Sequence, residues 1–138
     1  MKIDPLFYRD GYKAVVVEPW SCASDIRLEE DIVAPRYAIL RDGTILVAHG
    51  YLYDFASGAV DTESIRRASL AHDVLCQAIS EGRLDPKWQK DADKLLKRVC
   101  LLDGMARLRA WWVYRAVRAY QKRKKRIVFD AHPVKRVG

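Results

Sequence analysis

Apolar residues recur at helical spacing in two consecutive stretches of this chain. The stretches are residues 65–79 and 88–99, and their period of 3.6 residues predicts two amphipathic helices. Gly82, Asp85 and Pro86 lie between them and mark a short turn. A connection of this length makes two helices antiparallel neighbours. The sequence therefore predicts a helix pair around which the rest of the chain is organised.

One histidine and one aspartate are placed to meet inside this pair. His72 falls in the middle of the first apolar stripe and Asp93 at the edge of the second. A neutral imidazole that donates one N–H to a carboxylate has a fixed tautomer, and its other nitrogen can act as a base. Asp73 lies about 100° further around the helix, where it can bind a cation or cap the network. A His-Asp pair that only closes the core has the same sequence pattern, so both interpretations stay open.

Shorter apolar runs earlier in the chain predict strands. Residues 37–40 and 44–48 flank Asp42 and Gly43, the dipeptide that favours a tight hairpin turn because glycine tolerates positive φ. Residues 12–17 are rich in β-branched side chains and predict one further strand.

Two stretches around this hairpin predict loops. Residues 20–34 are mixed and polar, which indicates a loop with one helical turn. Residues 49–58 are aromatic and bracketed by glycines, which indicates a shaped loop that leaves the sheet. We expect Gly50, Ser57 and Gly58 to set its shape.

A third helix is predicted to begin near Met105 and to run at least to Tyr120. Its apolar residues cover a wide face, and basic residues follow the other side at helical spacing. Residues 127–138 contain a proline and little periodicity, so we expect an extended or loosely docked tail. The apolar face comprises Leu108, Trp111, Trp112, Val113, Ala116, Val117 and Tyr120, and the basic side comprises Arg107, Arg115, Arg118, Lys122 and Arg126.

The order of elements, strands first and helices afterwards, predicts an α+β fold. A small antiparallel sheet, made of the N-terminal strand and the β-hairpin, is expected to pack on a three-helix C-terminal bundle. With 138 residues the chain is expected to be a single domain with a real hydrophobic core. Its β-rich part is residues 1–60, its helical part residues 61–126 and its tail residues 127–138.

The amino-acid composition bears on the type of chain and on the compartment in which the protein is kept. Half of the residues are hydrophobic, which is typical of a globular chain and not of a disordered one. Cys22, Cys76 and Cys100 are odd in number and lack paired ligand spacing, so we expect free thiols, a reducing compartment and no zinc site. No apolar run has the length of a membrane span, and no signal peptide is expected.

The net charge of +7 is concentrated at one end of the chain. After Gly104 the only acidic residue is Asp130, so this end attracts anions. Contact with nucleic-acid phosphates and contact with an anionic membrane surface both fit, and a solvated basic face is the structural alternative. The residues expected to make such a contact are Arg115, Arg118, Lys122, Arg123, Lys124, Lys125 and Arg126.

Three motifs occur in chain order. They read Gly50-Tyr51-Leu52-Tyr53-Asp54-Phe55-Ala56-Ser57, then His72-Asp73-Val74-Leu75-Cys76, then Ala92-Asp93. These motifs resemble the domain-of-unknown-function family numbered 1353, which is found widely in tailed-phage and prophage genomes. The resemblance spans roughly residues 37–120. Tyr51, Tyr53 and Cys76 stand where the family pattern has Phe, Thr and Tyr.

The helix pair is also distantly similar to the calcium-dependent secretory and parvoviral phospholipases. That resemblance implies that His72 is the general base and Asp93 its orienting partner. It also implies that calcium or another divalent cation is held by Asp73, with Asp54 as a second ligand, and stabilises the oxyanion. The glycine-rich calcium loop of those enzymes is not evident here. The structural alternative is that Asp54 and Ser57 cap a neighbouring helix or turn.

These resemblances imply a phage- or prophage-encoded, metal-dependent hydrolase of ester or cell-envelope substrates. The alternative is a non-catalytic phage accessory or virion protein, tail-associated, whose basic helix binds nucleic acid, a membrane or a phage structural protein. Either protein is expected in the host cytoplasm or associated with the virion.

Overall fold

A computed structural model describes residues 1–9, 14–53 and 63–131 of the chain. Side chains are described in these ranges except at 8–9, 14, 63–64 and 123–131. Asp54, Ser57 and Gly58, to which the sequence analysis assigns metal-binding and loop-shaping roles, lie outside the described residues.

The predicted hairpin is confirmed and forms the middle of a four-stranded antiparallel sheet. Strand β5 (Tyr37–Ile39) pairs with β6 (Ile45–Val47), and Ile39 lies opposite Ile45. The side chain of Asp42 accepts a hydrogen bond of 2.9 Å from the backbone N–H of Thr44, which closes the turn. The sheet is completed by β3 (Trp20–Cys22) beside β6 and β4 (Ile32–Val33) beside β5.

The prediction of a loop with one helical turn in residues 20–34 is confirmed for the loop at residues 23–31 but wrong at both ends of the segment, and the segment holds no helical turn. The segment holds β3 and β4, which are three and two residues long. The alternation of buried and exposed positions is visible in Trp20 and Cys22, which point inwards on either side of Ser21. A period of two cannot be recognised over so few residues.

A second, three-stranded antiparallel sheet has the order β1-β2-β7. Its middle strand, β2 (Ala14–Val16), confirms the predicted strand around residues 12–17 within the described range. Its edges are β1 (Tyr8–Arg9) and β7 (Leu52–Tyr53). The prediction of a loop that leaves the sheet over residues 49–58 is therefore wrong at residues 52–53, because this two-residue strand pairs with β2. The fold thus combines small antiparallel sheets with C-terminal helices, the predicted α+β arrangement.

The predicted helix pair is also confirmed. Helix α1 (Glu63–Ser80) and helix α2 (Gln89–Leu102) pack against each other, joined by a turn that includes the short 3-10 helix Pro86–Trp88. Asp85 caps this 3-10 helix, since its carboxylate accepts a 2.8 Å hydrogen bond from the backbone N–H of Lys87. Buried aliphatic side chains of both helices join those of the strands in one core.

Helix α3 (Arg107–Ala131) departs from the prediction in two respects. It continues through residue 131, so the first part of the predicted extended tail is helical, and residues 132–138 lie outside the described residues. Its predicted apolar face is only partly used. Val113 and Val117 pack against the core, because α3 contacts mainly α2 and presents one narrow side to it. Exposed instead are Leu108, Trp111, Trp112, Ala116 and Tyr120.

None of the helices within the described residues combines the length and the apolar character that crossing a bilayer requires.

The packing around the hairpin turn predicts that an added methyl group destabilises the protein more at Gly43 than at another glycine with positive φ. Gly43 has φ of +93°, and a Cβ there would lie 2.4 Å from the carbonyl oxygen of Ile26 and 2.5 Å from that of Ser24. Gly104 has nearly the same φ, +94°, but nothing within 4 Å. We expect Gly104→Ala to lower the free energy of unfolding by about 1–2 kcal/mol through backbone strain alone. Gly43→Ala should cost about 2 kcal/mol more, since backbone atoms must move as well.

Urea denaturation of the two variants and the wild type measures this difference. Equal losses at both positions would contradict the close packing around Gly43.

Candidate functional site

The helix pair brings His72 and Asp93 into direct contact. His72 lies on the side of α1 that faces α2, and its Nε2 is 2.6 Å from Oδ1 of Asp93. The carboxylate is fully buried, whereas the imidazole keeps 14 % of its surface exposed. The pairing predicted from the sequence is therefore present, with one partner closed off from solvent and the other reaching it.

Asp93 has two further partners that the sequence analysis missed. Gln89 donates a hydrogen bond of 3.0 Å to the same Oδ1, and Arg118 of α3 donates one of 2.8 Å to Oδ2. Gln89 was detectable in principle, because it precedes Asp93 by four residues, the spacing of neighbours on a helix face. Arg118 follows directly after Val117 at the border of the apolar stripe, a weaker signal.

Arg118 therefore plays a different part from the one assigned to it. Its helical spacing predicts that it lies with Arg115 and Lys122 on the basic face of α3. Arg115 and Lys122 are exposed as expected, but the guanidinium of Arg118 turns inwards to Asp93. The backbone of Arg123, Lys124, Lys125 and Arg126 continues α3, and their side chains lie outside those described.

The thiol of Cys76 lies against the His72 ring without forming a catalytic triad with it. Its sulfur is 3.6 Å from Nε2 and 3.8 Å from Nδ1. A sulfur almost equidistant from both nitrogens cannot lie on the lone-pair direction of either, because these directions diverge across the ring. The amide groups of Gln89 and Gln121 are 3.4 Å and 3.7 Å from the same sulfur. Cys76 thus fills the space beside the imidazole.

The electrostatics of the pair favour its charged form. Burial, the largest single influence, disfavours an imidazolium at His72, but the hydrogen bond to Asp93, the adjacent Cys76 and the charge of Asp93 together outweigh burial and raise the pKa of His72 to about 10. Burial likewise opposes ionisation of Asp93, yet the hydrogen bonds from His72 and Arg118 hold the pKa of its carboxyl below the usual value. Asp93 is therefore an ionised carboxylate between two cations.

Asp73 lies on a different side of α1, towards the strands. Asp73 precedes Gln77, the hydrogen-bond partner of Tyr51, by about one helical turn, and burial and then the negative charge of Asp73 raise the pKa of Tyr51. Tyr51 donates a 2.5 Å hydrogen bond to Oε1 of Gln77, and Gly50 beside it has φ of +90°. One turn further along α1, Tyr37 donates a 2.5 Å bond to Glu81. Phenol groups thus tie the strand region to α1 next to Asp73.

A cation site is not assembled by the described residues alone. No group of three or more His, Cys, Asp or Glu side chains among them is arranged to hold a metal ion. Of the predicted ligand pair, Asp73 is described and Asp54 is not.

Comparison with known proteins identifies the family. A family model described as protein of unknown function (DUF1353) matches residues 26–117, two thirds of the chain. The chain belongs to the DUF1353 family. The DUF1353 match includes His72 and Asp93 and ends one residue before Arg118. No curated protein and no solved structure is similar enough to count as a match.

The buried carboxylate predicts a large effect of a near-isosteric change. Asp93→Asn removes the one negative charge between His72 and Arg118, so we expect the free energy of unfolding to fall by about 3–5 kcal/mol. Asp91→Asn, at an exposed position of the same helix, is the matched control and should cost about 1 kcal/mol or less. Chemical denaturation measures both. A loss at position 93 no larger than at position 91 would contradict the ion network.

The raised pKa of His72 predicts a pH-dependent contribution to stability. An unfolded histidine has a pKa of about 6.5, and the folded value is raised to about 10. The folded state therefore binds more protons between these values, and the stabilisation by the pair falls as pH rises through that window. We expect the difference in unfolding free energy between wild type and His72→Gln to be largest below about pH 6.5 and to vanish above about pH 10. Denaturation series at several pH values test this, and a difference that grows with pH would refute the ion pair.

Proposed function

We propose that this DUF1353 chain is a phage- or prophage-type hydrolase of ester bonds in lipid or cell-envelope substrates. His72 would be its general base and Asp93 the residue that orients it. The observation that carries the proposal is the 2.6 Å bond between Nε2 of His72 and a fully buried carboxylate on the neighbouring antiparallel helix. The distant resemblance to His-Asp phospholipases supports the same assignment.

The geometry suits base catalysis from one particular nitrogen. Because Nε2 is bound to Asp93, Nδ1 is the nitrogen that can accept a proton from water. The resulting hydroxide attacks the ester carbonyl, and the imidazolium then returns the proton to the leaving alkoxide. Asp93 stabilises the imidazolium, and Gln89 and Arg118 hold Asp93 in place. A divalent cation, with Asp73 and Asp54 as its ligands, would stabilise the oxyanion.

A second function is favoured by the charges around Asp93. An imidazole with a pKa of about 10 carries its proton at neutral pH and must lose it before acting as a base. The imidazolium and the Arg118 guanidinium both bind Asp93, and this ion network also holds the three helices together. In this alternative the chain is a non-catalytic phage accessory or virion protein, and α3 makes its functional contact with nucleic acid, a membrane or a structural protein.

Hydrolysis of a fluorogenic phospholipid by the purified protein separates the two functions. We expect turnover by the wild type in calcium, less in chelator, and a loss of at least about 100-fold in His72→Gln, the scale of general-base catalysis. The matched control is His49→Gln, the same replacement at an exposed histidine, which should keep full activity.

Circular dichroism and thermal unfolding establish that each variant is folded. Equal turnover in wild type and His72→Gln, or none in the folded wild type with calcium present, would overturn the hydrolase and leave the binding function.

A further inference from the structure

The side of α3 that faces away from α2 exposes large apolar side chains. Leu108 is 69 % exposed, Trp112 61 % and Trp111 42 %. Apolar side chains gathered on one exposed helix face mark an interaction site, because singly scattered ones are normal but a patch is not. Such a patch indicates a binding surface.

The residues of this face are regularly spaced along the helix. Its residues follow each other at alternating spacings of four and three positions, which places them in one row along the helix. The opposite side carries Ala110, which is fully buried, and Val117, which packs against the core. All members of the row are exposed. This outer row comprises Leu108, Trp112, Arg115, Ala119 and Lys122.

The outer row is held in a fixed orientation. The bond from Arg118 to the buried Asp93 sets the rotation of α3 about its axis. The guanidinium of Arg115 lies 5.7 Å from the centre of the Trp111 ring, and this ring meets that of Trp112 edge to face at 5.1 Å. These side chains therefore lose little conformational entropy when a partner binds, which favours binding.

Charge selects an anionic occupant. Arg115 and Lys122 lie in the outer row itself, and the only acidic residue after Gly104 is Asp130. A second copy of the chain would bring the same cations face to face, which is repulsive. An acidic surface is attracted instead.

The apolar members of the row select a lipid surface among anionic ones. Nucleic acid offers phosphates to Arg115 and Lys122 and stacking to an indole, but it offers nothing to Leu108. The headgroup region of a bilayer takes all of them, because tryptophan prefers the interface, leucine the acyl boundary and cations the lipid phosphates. The mixture of side chains on one face is that of an interfacial helix.

We propose that the outer row of α3 docks this protein on an anionic phospholipid bilayer, with the helix axis in the plane of the membrane. Leu108 and Trp112 enter the interface, and Arg115 and Lys122 contact lipid phosphates. Docking does not rest on hydrolysis, and it holds for either function proposed above.

Vesicle binding tests the proposal. The full-length protein is sedimented with vesicles of ether-linked phosphatidylcholine containing phosphatidylglycerol, and with vesicles of ether-linked phosphatidylcholine alone. Ether lipids contain no ester bond, so turnover cannot interfere. We expect binding to the anionic vesicles only, weakened by salt, and unchanged in His72→Gln. Loss of hydrolysis and loss of docking are thereby measured separately.

Paired variants assign the contact to the outer row. Leu108→Gln combined with Trp112→Gln keeps good helix formers but removes the apolar contact, and we expect vesicle binding to weaken about ten-fold or more. The matched control is Val33→Thr combined with Leu52→Thr, at exposed apolar positions on strands, which should bind as the wild type does. Arg115→Glu combined with Lys122→Glu should abolish the preference for anionic lipid.

Three outcomes would overturn the proposal. The first is no binding of the wild type to anionic vesicles. The second is binding to single-stranded DNA in competition with vesicles that depends on Arg115 and Lys122 but not on Leu108 and Trp112. The third is a wild-type dimer, measured by analytical ultracentrifugation, that becomes monomeric in the Leu108 and Trp112 variant and does not bind vesicles.

Discussion

A carboxylate with no solvent contact must receive its hydrogen bonds and its counter-charge from the protein, and Asp93 imposes this requirement on all three helices. His72 reaches it from α1, Gln89 from the preceding turn of α2, and Arg118 from α3. Leaving such a charge unpaired costs several kcal/mol, so the three helices are not independent in where they sit. The position of α1 along α2 and the rotation of α3 about its own axis both follow from satisfying one side chain.

The hydrogen bond between His72 and Asp93 has two opposing effects on base catalysis by the imidazole. A carboxylate at 2.6 Å from Nε2 orients the imidazole and leaves Nδ1 as the nitrogen that can accept a proton, which is what a general base needs. It also stabilises the protonated imidazole, which raises the pKa to about 10 and leaves little free base at neutral pH. Arg118 moderates this effect, because a second cation on the carboxylate weakens its hold on the imidazolium. A catalytic role and a structural role of His72 therefore differ in the balance between two properties of the imidazole, its orientation and its basicity.

Much of the fold is encoded in local signals that a sequence displays directly. The hairpin follows from Asp42 and Gly43 between two apolar runs, and the helix pair from two stripes joined by a short turn; the contact between His72 and Asp93 follows from the pair. Strands β3 and β4 were not predictable in the same way, since two or three residues show no recognisable period. The inward orientation of the Arg118 side chain could not be predicted for a different reason. Arg115 and Arg118 look alike in the sequence, and only the position of α2 decides which of them meets a buried carboxylate.

That choice also explains why aromatic residues predicted to share one apolar face are exposed. Trp112 and Arg118 are six residues apart, and six steps of 100° separate their directions by about 120° around the helix. Rotating α3 so that Trp112 faced α2 would bury an indole, a gain of about 2–3 kcal/mol. It would also withdraw the guanidinium from Asp93, which costs about 3–5 kcal/mol. The ion network outweighs the burial of one aromatic side chain, so the tryptophan faces outwards. The apolar and cationic surface of α3 is thus a consequence of how the carboxylate beneath it is satisfied.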